Sequence, residues 1–568
     1  MKSVKKKILF LQLPRLDNDT GKEDENLPMA GFYLSWALEK AGMERLWEIR
    51  GLTPEQEELD DAHLLRWMAE WRPDILCATL YLWNIERTLH LARKLKERLP
   101  DLRIIFGGPE VAPGHPFLFK SRVPDVVVAG EGEFLFPFIL KALHRGEKTN
   151  FNQVAWKGER QYHWGTTSTP SPSLSDALPP PEHPCWRPDP RGTAYLETGR
   201  GCPLRCTYCR YPHMRDTISF LTADDVIQRA HILVKRGARQ IRFVDPTLNA
   251  NPRFRQILQG LKELRRNRHI DFFAEVRADV LGEDDVMLLR EAGFTELEAG
   301  VQSRDANVLR RVRRPLRIDS LERNIRLMTR EGIRVTIDLM YGLPGQRKEE
   351  VLESIEWAWG FRHSDVQCLQ TLLLPGTDLK GKARTWQMKA GHRPPYGVIS
   401  TKTLSFEDIQ EIEEYLNEKQ ASDCMTQRFV GYRLPDLFAE RIGLSPGMSD
   451  GAREIPGCTT RRALLFQGTN LYSMREWIRK VISRAIQSEP HMLWQFILRP
   501  ETEEPLDLIE EMIAEIRKYP VLWLDRFACV KGWDRIASRR IFILLKRGGR
   551  YSPAWKDAAE TLLEDNFY

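Results

Sequence analysis

No apolar run in this 568-residue chain reaches the roughly 18 residues that a membrane span needs. The basic start, Met1 to Lys7, leads into an apolar stretch at 8–13 that is too short for a signal-peptide core, and no small-residue cleavage site follows it. A cytoplasmic protein without membrane contact is expected. Cysteine is scarce and odd in number: of nine, Cys77, Cys185, Cys368, Cys424, Cys458 and Cys529 are scattered singly, and three fall within eight residues. Such usage excludes a secreted disulfide framework and points the tight trio toward metal or redox chemistry. Net charge is small as well. At +6 it gives no electrostatic ground for a nucleic-acid partner. Repeats, low-complexity tracts, a P-loop and a Ser/His/Asp triad are all missing. What remains, 42% hydrophobic and 29% charged, is the composition of a globular protein, and the length calls for two or three domains.

Residues 8–13 (ILFLQL) end at Pro14 and look like a buried parallel strand. Apolar residues recur at helical spacing over 29–41 and stop at Gly42. Further apolar runs at 75–79, 104–106 and 126–129 alternate with helical stretches such as 86–99, the signature of a doubly wound parallel sheet. Each of these three runs feeds a loop: Leu80-Tyr81-Leu82-Trp83-Asn84, then Gly107-Gly108-Pro109-Glu110, then Gly130-Glu131-Gly132-Glu133. Loops beyond the carboxyl ends of parallel strands are where such sheets bind ligands. A Rossmann-like first domain is expected over 1–145. Eight prolines between 170 and 190 predict a stiff connector over 146–191.

A second alternating series has strand candidates at 193–197, 241–244, 272–276, 297–301, 335–340 and 366–373. Thr222 with Asp225 suggests a capping box on a helix ended by Gly237, and Asp319 with Glu322 repeats the device before Gly332. Six strand–helix units predict a partial β/α barrel over 192–393 rather than the closed eight-unit form. Beyond residue 394 the alternation is lost. Helices at 407–420 and 506–518 and one strand at 540–545 make a mainly helical carboxyl-terminal region the expectation. The fold class is α/β.

Directly after the first barrel strand comes Gly199-Arg-Gly-Cys202-Pro-Leu-Arg-Cys206-Thr-Tyr-Cys209. Soft thiolates select zinc, copper(I) or iron–sulfur clusters. Zinc normally closes with four ligands, so a zinc site would have to borrow a distant one such as Cys185 or His213. Iron–sulfur clusters usually take four cysteines; three leave one iron open to an outside ligand. The neighbouring glycines let the backbone wrap closely around an inorganic core.

Cys202-x3-Cys206-x2-Cys209, with Tyr208 before the last cysteine, resembles the radical S-adenosylmethionine (SAM) signature. In that family the three cysteines hold a [4Fe–4S] cluster whose open iron chelates the amino and carboxylate groups of SAM. Reduction then splits SAM to a 5′-deoxyadenosyl radical that abstracts hydrogen from substrate. The resemblance runs along the barrel. Phe243-Val-Asp245-Pro-Thr247 resembles the segment that meets the SAM amino group, although many members carry a Gly-Gly-Glu-like motif there. Glu275-Val-Arg277 resembles the pair that contacts ribose and carboxylate. Gly300-Val-Gln302-Ser303 and Gly342-Leu-Pro-Gly345 resemble the fourth- and fifth-strand motifs, the second lying along adenine, and Leu374-Pro375-Gly376-Thr377 the sixth-strand end. SAM contacts from Tyr208, Asp245, Glu275, Arg277, Gln302 and Gly342 are thereby implied, as is an electron donor such as flavodoxin or ferredoxin. Read without the resemblance, Asp245 and Arg277 are strand-end residues satisfying local backbone, and 342–345 is a tight turn.

The open α/β domain ahead of the barrel resembles the cobalamin-binding domain of one large subclass. That implies cobalamin held between the two domains, upper face toward SAM, by Leu80, Tyr81, Gly107, Gly108, Gly130 and Glu131. Loop 14–27 contains no histidine where many cobalamin proteins carry Asp-x-His-x-x-Gly, so cobalt would take none from it. A domain that keeps the fold without the cofactor is the alternative. Methylthio-transferring relatives bring three cysteines here, whereas Cys77 is the only one before residue 150. The commonest outcome implied is methyl transfer to an unreactive carbon or phosphorus centre of a small-molecule or peptide substrate, one SAM methylating cobalt and a second being cleaved. Radical cyclisation, ring contraction or oxidation is the runner-up, and a non-catalytic cluster or cobalamin sensor differs in class. Arg310-Arg311-Val-Arg313-Arg314 reads as the solvated end of a helix, with a phosphate-bearing substrate as the alternative occupant. Cys424, Cys458 and Cys529 are too widely spaced for an auxiliary cluster and read as buried free thiols.

Overall fold

The computed structural model describes residues 5–16, 27–170, 172–215, 217–266, 268–421, 428–434, 437–438, 441–444, 459–522 and 538–564. Its first sheet is built from Lys6–Leu11 (β1), Trp47–Arg50 (β2), Ile75–Thr79 (β3), Arg103–Gly107 (β4), Val126–Val128 (β5), Val154–Lys157 (β6) and Tyr162–Trp164 (β7). The spatial order is β2-β1-β3-β4-β5-β6-β7, parallel through β5. Alternate side chains go to opposite faces. Leu9, Leu11, Leu76 and Ile104 join one core, and Ile8, Phe10, Cys77 and Ile105 join another. Burial on both faces explains why these strands read as continuous apolar runs. The winding reverses between β1 and β3, which opens a crevice at their carboxyl ends.

Residues 146–191 are more than a connector. They add β6 and β7 to the sheet edge as an antiparallel hairpin, followed by the short helix Leu174–Ala177. The prolines gather only from residue 170, beyond the hairpin.

In the second unit, Thr193–Leu196 (β8) leads into a small antiparallel ladder of Gly199–Arg200 (β9) with Ser219–Phe220 (β10). Then come Gln240–Phe243 (β11), Asp271–Val276 (β12), Phe294–Gln302 (β13), Arg334–Tyr341 (β14) and Ser364–Gln370 (β15). With β8 they form an open, all-parallel arc of order β15-β14-β13-β12-β11-β8. Val335, Ile337 and Leu339 face the core, leaving Thr336, Asp338 and Met340 on the other face. Thr222 caps its helix by accepting from the Asp225 N–H at 3.1 Å. Asp319 and Glu322 form no such box: that helix, Ile318–Arg330, begins before Asp319, and Glu322 instead accepts from Trp357 Nε1 at 2.7 Å.

Lys389–Ala390 (β16) pairs with Val398–Ser400 (β17). The carboxyl-terminal region, expected to be mainly helical, is organised by a parallel sheet. Val430–Gly431 (β18), Arg441–Leu444 (β19), Arg461–Gly468 (β20), Leu493–Pro500 (β21) and Arg540–Leu544 (β22) lie in the order β18-β22-β21-β20-β19. A run such as LWQFILRP, buried at nearly every position, carries no period that separates strand from buried helix. Cys424, Cys458 and Cys529 lie outside the described residues. Among those described, no helix is long and apolar enough to cross a membrane.

Candidate active site

The three clustered cysteines sit on an excursion between β8 and the next helix, closed at its base by the β9–β10 ladder. Phe220 packs so tightly on Gly199 that a Cβ there would meet its ring at 2.6 Å. Midway, the Thr207 N–H donates to the Val312 carbonyl (3.0 Å) and its carbonyl accepts from the Leu379 N–H (2.8 Å). The loop is thus laced to segments that follow β13 and β15. Cys206 is buried, and Cys202 and Cys209 are half-buried. Burial pushes the Cys209 thiol up to about 11, and the nearby Cys206 and Cys202 push in the same direction.

Neither lender for a zinc site is in place. Cys185 packs against the barrel core, its thiol raised to about 12 by burial, and His213 Nε2 lies 3.9 Å from Asp378. Among the described residues no three His, Cys, Asp or Glu side chains are arranged to hold a single metal ion.

The sequence places Arg314 at the solvated end of a helix, whereas the structure turns it, half-buried, into the site. Its Nη1 lies 3.9 Å from Cys206 Sγ, and its Nη2 donates to the Gly300 carbonyl. Around it stand inward carboxylates of the arc. Glu275 and Glu298 are register partners, and Asp338 lies opposite Gly300. Burial first, then Glu298, raises Glu275 to about 7; burial and Glu298 also raise Asp338. A register shift at the end of β13 turns Gln302 into the left-handed region, φ 65°. Bulges of this kind re-aim a side chain beside an active site. Gln302 Oε1, Asp338 Oδ1 and Arg314 Nε are buried without a hydrogen-bond partner. Unpaired buried polar atoms are costly, so one donor and two acceptors converging here mark a place built for a polar ligand.

The other implied SAM residues are placed more locally. Asp245 accepts from the Thr198 N–H (3.0 Å) and Oγ1 (2.8 Å), and burial raises its carboxyl to about 7. Arg277 forks onto Asp279, with Nε to Oδ1 at 2.8 Å, while Asn249 brackets its backbone. Tyr208 packs between two small apolar clusters and hydrogen-bonds Cys206. Gly342 has φ 84° at a turn held by Gln346, which accepts from the Leu343 N–H at 2.8 Å. Sequence reasoning missed Arg314, Glu298 and Asp338. The two carboxylates carried a signal, since Glu298 and Asp338 each alternate with core-facing residues of their strands and so share the inward face.

A cavity of about 630 Å³ opens between the carboxyl ends of β1, β3, β4 and β5 and the cysteine loop. Tyr81, Gly107, Gly108, Gly130 and Glu131 line it from one side, and Glu197, Arg200, Gly201, Tyr211 and Arg215 from the other. Leu80 does not line it. Its N–H donates to the Gly107 carbonyl (2.8 Å) and its carbonyl accepts from the Glu110 N–H (3.1 Å), so it braces the glycine loop from beneath. Tyr81 stacks on Trp83 at 4.4 Å. Arg200 joins the walls by pairing with Glu133 (2.8 Å) and Glu197 (2.7 Å). The Tyr33 hydroxyl and Arg200 Nη1, both on the wall, lack hydrogen-bond partners. No histidine stands among the described lining residues.

The Radical SAM superfamily model matches residues 196–358, and the B12 binding domain model matches residues 25–139. The chain carries a radical SAM domain and a B12-binding domain. It is similar to 2-(S-pantetheinyl)-carbapenam-3-carboxylate methyltransferase of Streptantibioticus cattleyicolor, 24% identical over 327 residues, covering 54% of this chain and 48% of that protein. It is also similar to hopanoid C-3 methylase of Methylococcus capsulatus, 26% identical over 306 residues, covering 49% and 55%. The chain thus spans about half the length of these relatives. Among solved structures, radical S-adenosylmethionine methyltransferase TsrM from Kitasatospora setae shares the fold with a TM-score of 0.56 at 16% identity, over 71% of this chain and 80% of that one. The cobalamin-dependent S-adenosylmethionine radical enzyme OxsB does so with a TM-score of 0.54 at 15% identity, over 74% and 67%.

The two domains imply a [4Fe–4S] cluster, SAM and cobalamin, and the residues suit all three. The donor set is three thiols without a fourth ligand beside them. The orphaned polar atoms of Gln302, Asp338 and Arg314 match a ligand with amino, hydroxyl and carboxylate groups. The glycine loops and apolar wall leave room for a bulky corrin between the domains.

Proposed function

We propose that the protein is a cobalamin-dependent radical SAM methyltransferase acting on an unactivated carbon or phosphorus centre of a small molecule or peptide. The observation that carries this reading is the placement of the cavity, with the glycine loops on one wall and the cysteine excursion on the other. When bound, the three groups supply one-electron reduction, a 5′-deoxyadenosyl radical and a transferable methyl group; the protein supplies position and seclusion. Cys202, Cys206 and Cys209 would hold the cluster, and Arg314 would offset the negative charge of its thiolates. Gln302, Asp338 and Glu275 would orient SAM through its hydroxyl and amino groups. Tyr81, Gly107, Gly108, Gly130 and Glu131 would seat the corrin, and Arg200 would hold that seat against the cluster loop.

Dithionite-reduced protein given SAM, cobalamin and candidate substrates should form both 5′-deoxyadenosine and S-adenosylhomocysteine. 5′-Deoxyadenosine alone would favour cyclisation or oxidation, and neither product would leave only a sensor.

A further inference from the structure

The arginine run near residue 310 has no part in the site beyond Arg314, yet the fold gives it a definite place. Thr207, one residue past Cys206, is hydrogen-bonded on one side to Val312 and on the other to Leu379. Two basic segments therefore flank the cysteine excursion, one from the end of the helix Ala306–Arg311 and one from the helix Asp378–Gly381. Arg205, Arg310, Arg313, Lys380, Lys382 and Arg384 are all exposed. Across 202–213, 310–314 and 376–389 the only carboxylate is Asp378, already engaged by Arg313 at 2.8 Å. Arg205, Lys380, Lys382 and Arg384 make no ion pair among the described residues. The whole chain carries only a small net charge, so this concentration of one sign is local.

We propose that this basic collar is the docking surface for an acidic one-electron carrier, a flavin or iron–sulfur protein, that reduces the cluster. The proposal rests on the functional reading only for the cluster's need of an electron. One electron leaves the carrier, which is oxidised by one, and enters the cluster held by Cys202, Cys206 and Cys209, which is reduced by one; no atom moves. Position favours this partner over a nucleic acid. The patch flanks the cysteine loop itself, through the hydrogen bonds of Thr207 to Val312 and Leu379, and Cys202 and Cys209 on that loop are only half-buried. Charge complementarity of this kind steers encounter and orientation, as suits a weak, transient redox contact.

The test uses the full chain, with a bacterial flavodoxin as probe. Binding measured by calorimetry should weaken about ten-fold between about 0.05 and 0.3 M salt, because exposed charges are screened. Lys380→Glu with Lys382→Glu, and separately Arg310→Glu with Arg384→Glu, should each weaken it by about ten-fold or more. Arg93→Glu with Arg98→Glu, on the first domain, should leave it unchanged. Dithionite-driven 5′-deoxyadenosine formation should be equal in all of them, since a small reductant needs no docking. Binding by the collar variants within about two-fold of the parent, or equal loss in the control pair, overturns the proposal. So does absence of flavodoxin binding, or capture of transfer RNA by the same surface instead. Failure of the parent to cleave SAM with dithionite would strike the functional reading and leave the binding comparison intact.

Discussion

At Arg314 three demands meet in one guanidinium: Cys206, the Gly300 carbonyl and the ring of carboxylates from Glu275, Glu298 and Asp338. An ammonium keeps the charge and loses the fork. Arg314→Lys is therefore expected to raise the SAM dissociation constant about ten-fold, the worth of one hydrogen bond to a charged group, with iron per chain close to the parent. Equilibrium dialysis with labelled SAM alongside iron analysis checks this, and unchanged affinity would remove Arg314 from the SAM site. Gly108 is a second residue with a sharp expectation. Its φ is 103°, and a Cβ would meet the Leu80 N at 2.7 Å. Gly108→Ala should cost about 1–3 kcal/mol and loosen cobalamin retention through gel filtration. At Gly42, φ 65° with nothing within 4 Å, the same change should cost about 1 kcal/mol and leave cobalamin untouched.

At the scale of elements, the cysteine spacing and the strand–helix alternation were legible because both are short-range patterns. Arg314 was not. A run of arginines after a helix reads as solvated, and the inward swing comes from Arg313 at φ 56°, which lets the Arg314 N–H close onto the Leu309 carbonyl at 2.8 Å. Spacing cannot announce a left-handed residue that is not glycine. The β6–β7 hairpin was hidden by the prolines that follow it, and the last sheet by strands buried on both faces. Tertiary contacts between distant segments leave no local trace at all. Tyr396 is the clearest case: its hydroxyl donates to Glu110 Oε1 at 2.6 Å, where His115 Nε2 also approaches to 3.0 Å. Next to it Arg210, adjacent to Cys209, donates to the Val111 carbonyl at 2.9 Å. This clasp ties the Gly107–Glu110 loop to the barrel. Tyr396→Phe should speed amide exchange over residues 107–115 and weaken cobalamin binding several-fold while SAM binding holds, as expected for one lost buried hydrogen bond. Glu110→Gln, which keeps the acceptor, should behave like the parent.

At the scale of the whole molecule, the carboxyl-terminal sheet is moored to the first domain through buried charge. Arg462 on β20 pairs with Asp60, and Glu489 accepts from the Asp61 and Ala62 N–H groups at 3.2 and 3.1 Å. Burial, followed by the Asp61 charge, raises the Glu489 carboxyl from its ordinary 4.5 to about 7. Between those values the folded chain binds more protons at this group than the unfolded chain does, so its contribution is present at low pH and lost as pH rises toward 7. The loss is a few kcal/mol at most, set by the size of the shift. Glutamine mimics the protonated acid and does not titrate. Thermal midpoints of the cluster-free protein should therefore show Glu489→Gln close to the parent near pH 5 and gaining on it by pH 8. A gap that stays constant with pH would mean the ionised carboxylate is fully compensated by Arg462 and Arg87, and that the seam is held by charge pairing rather than by a shared proton.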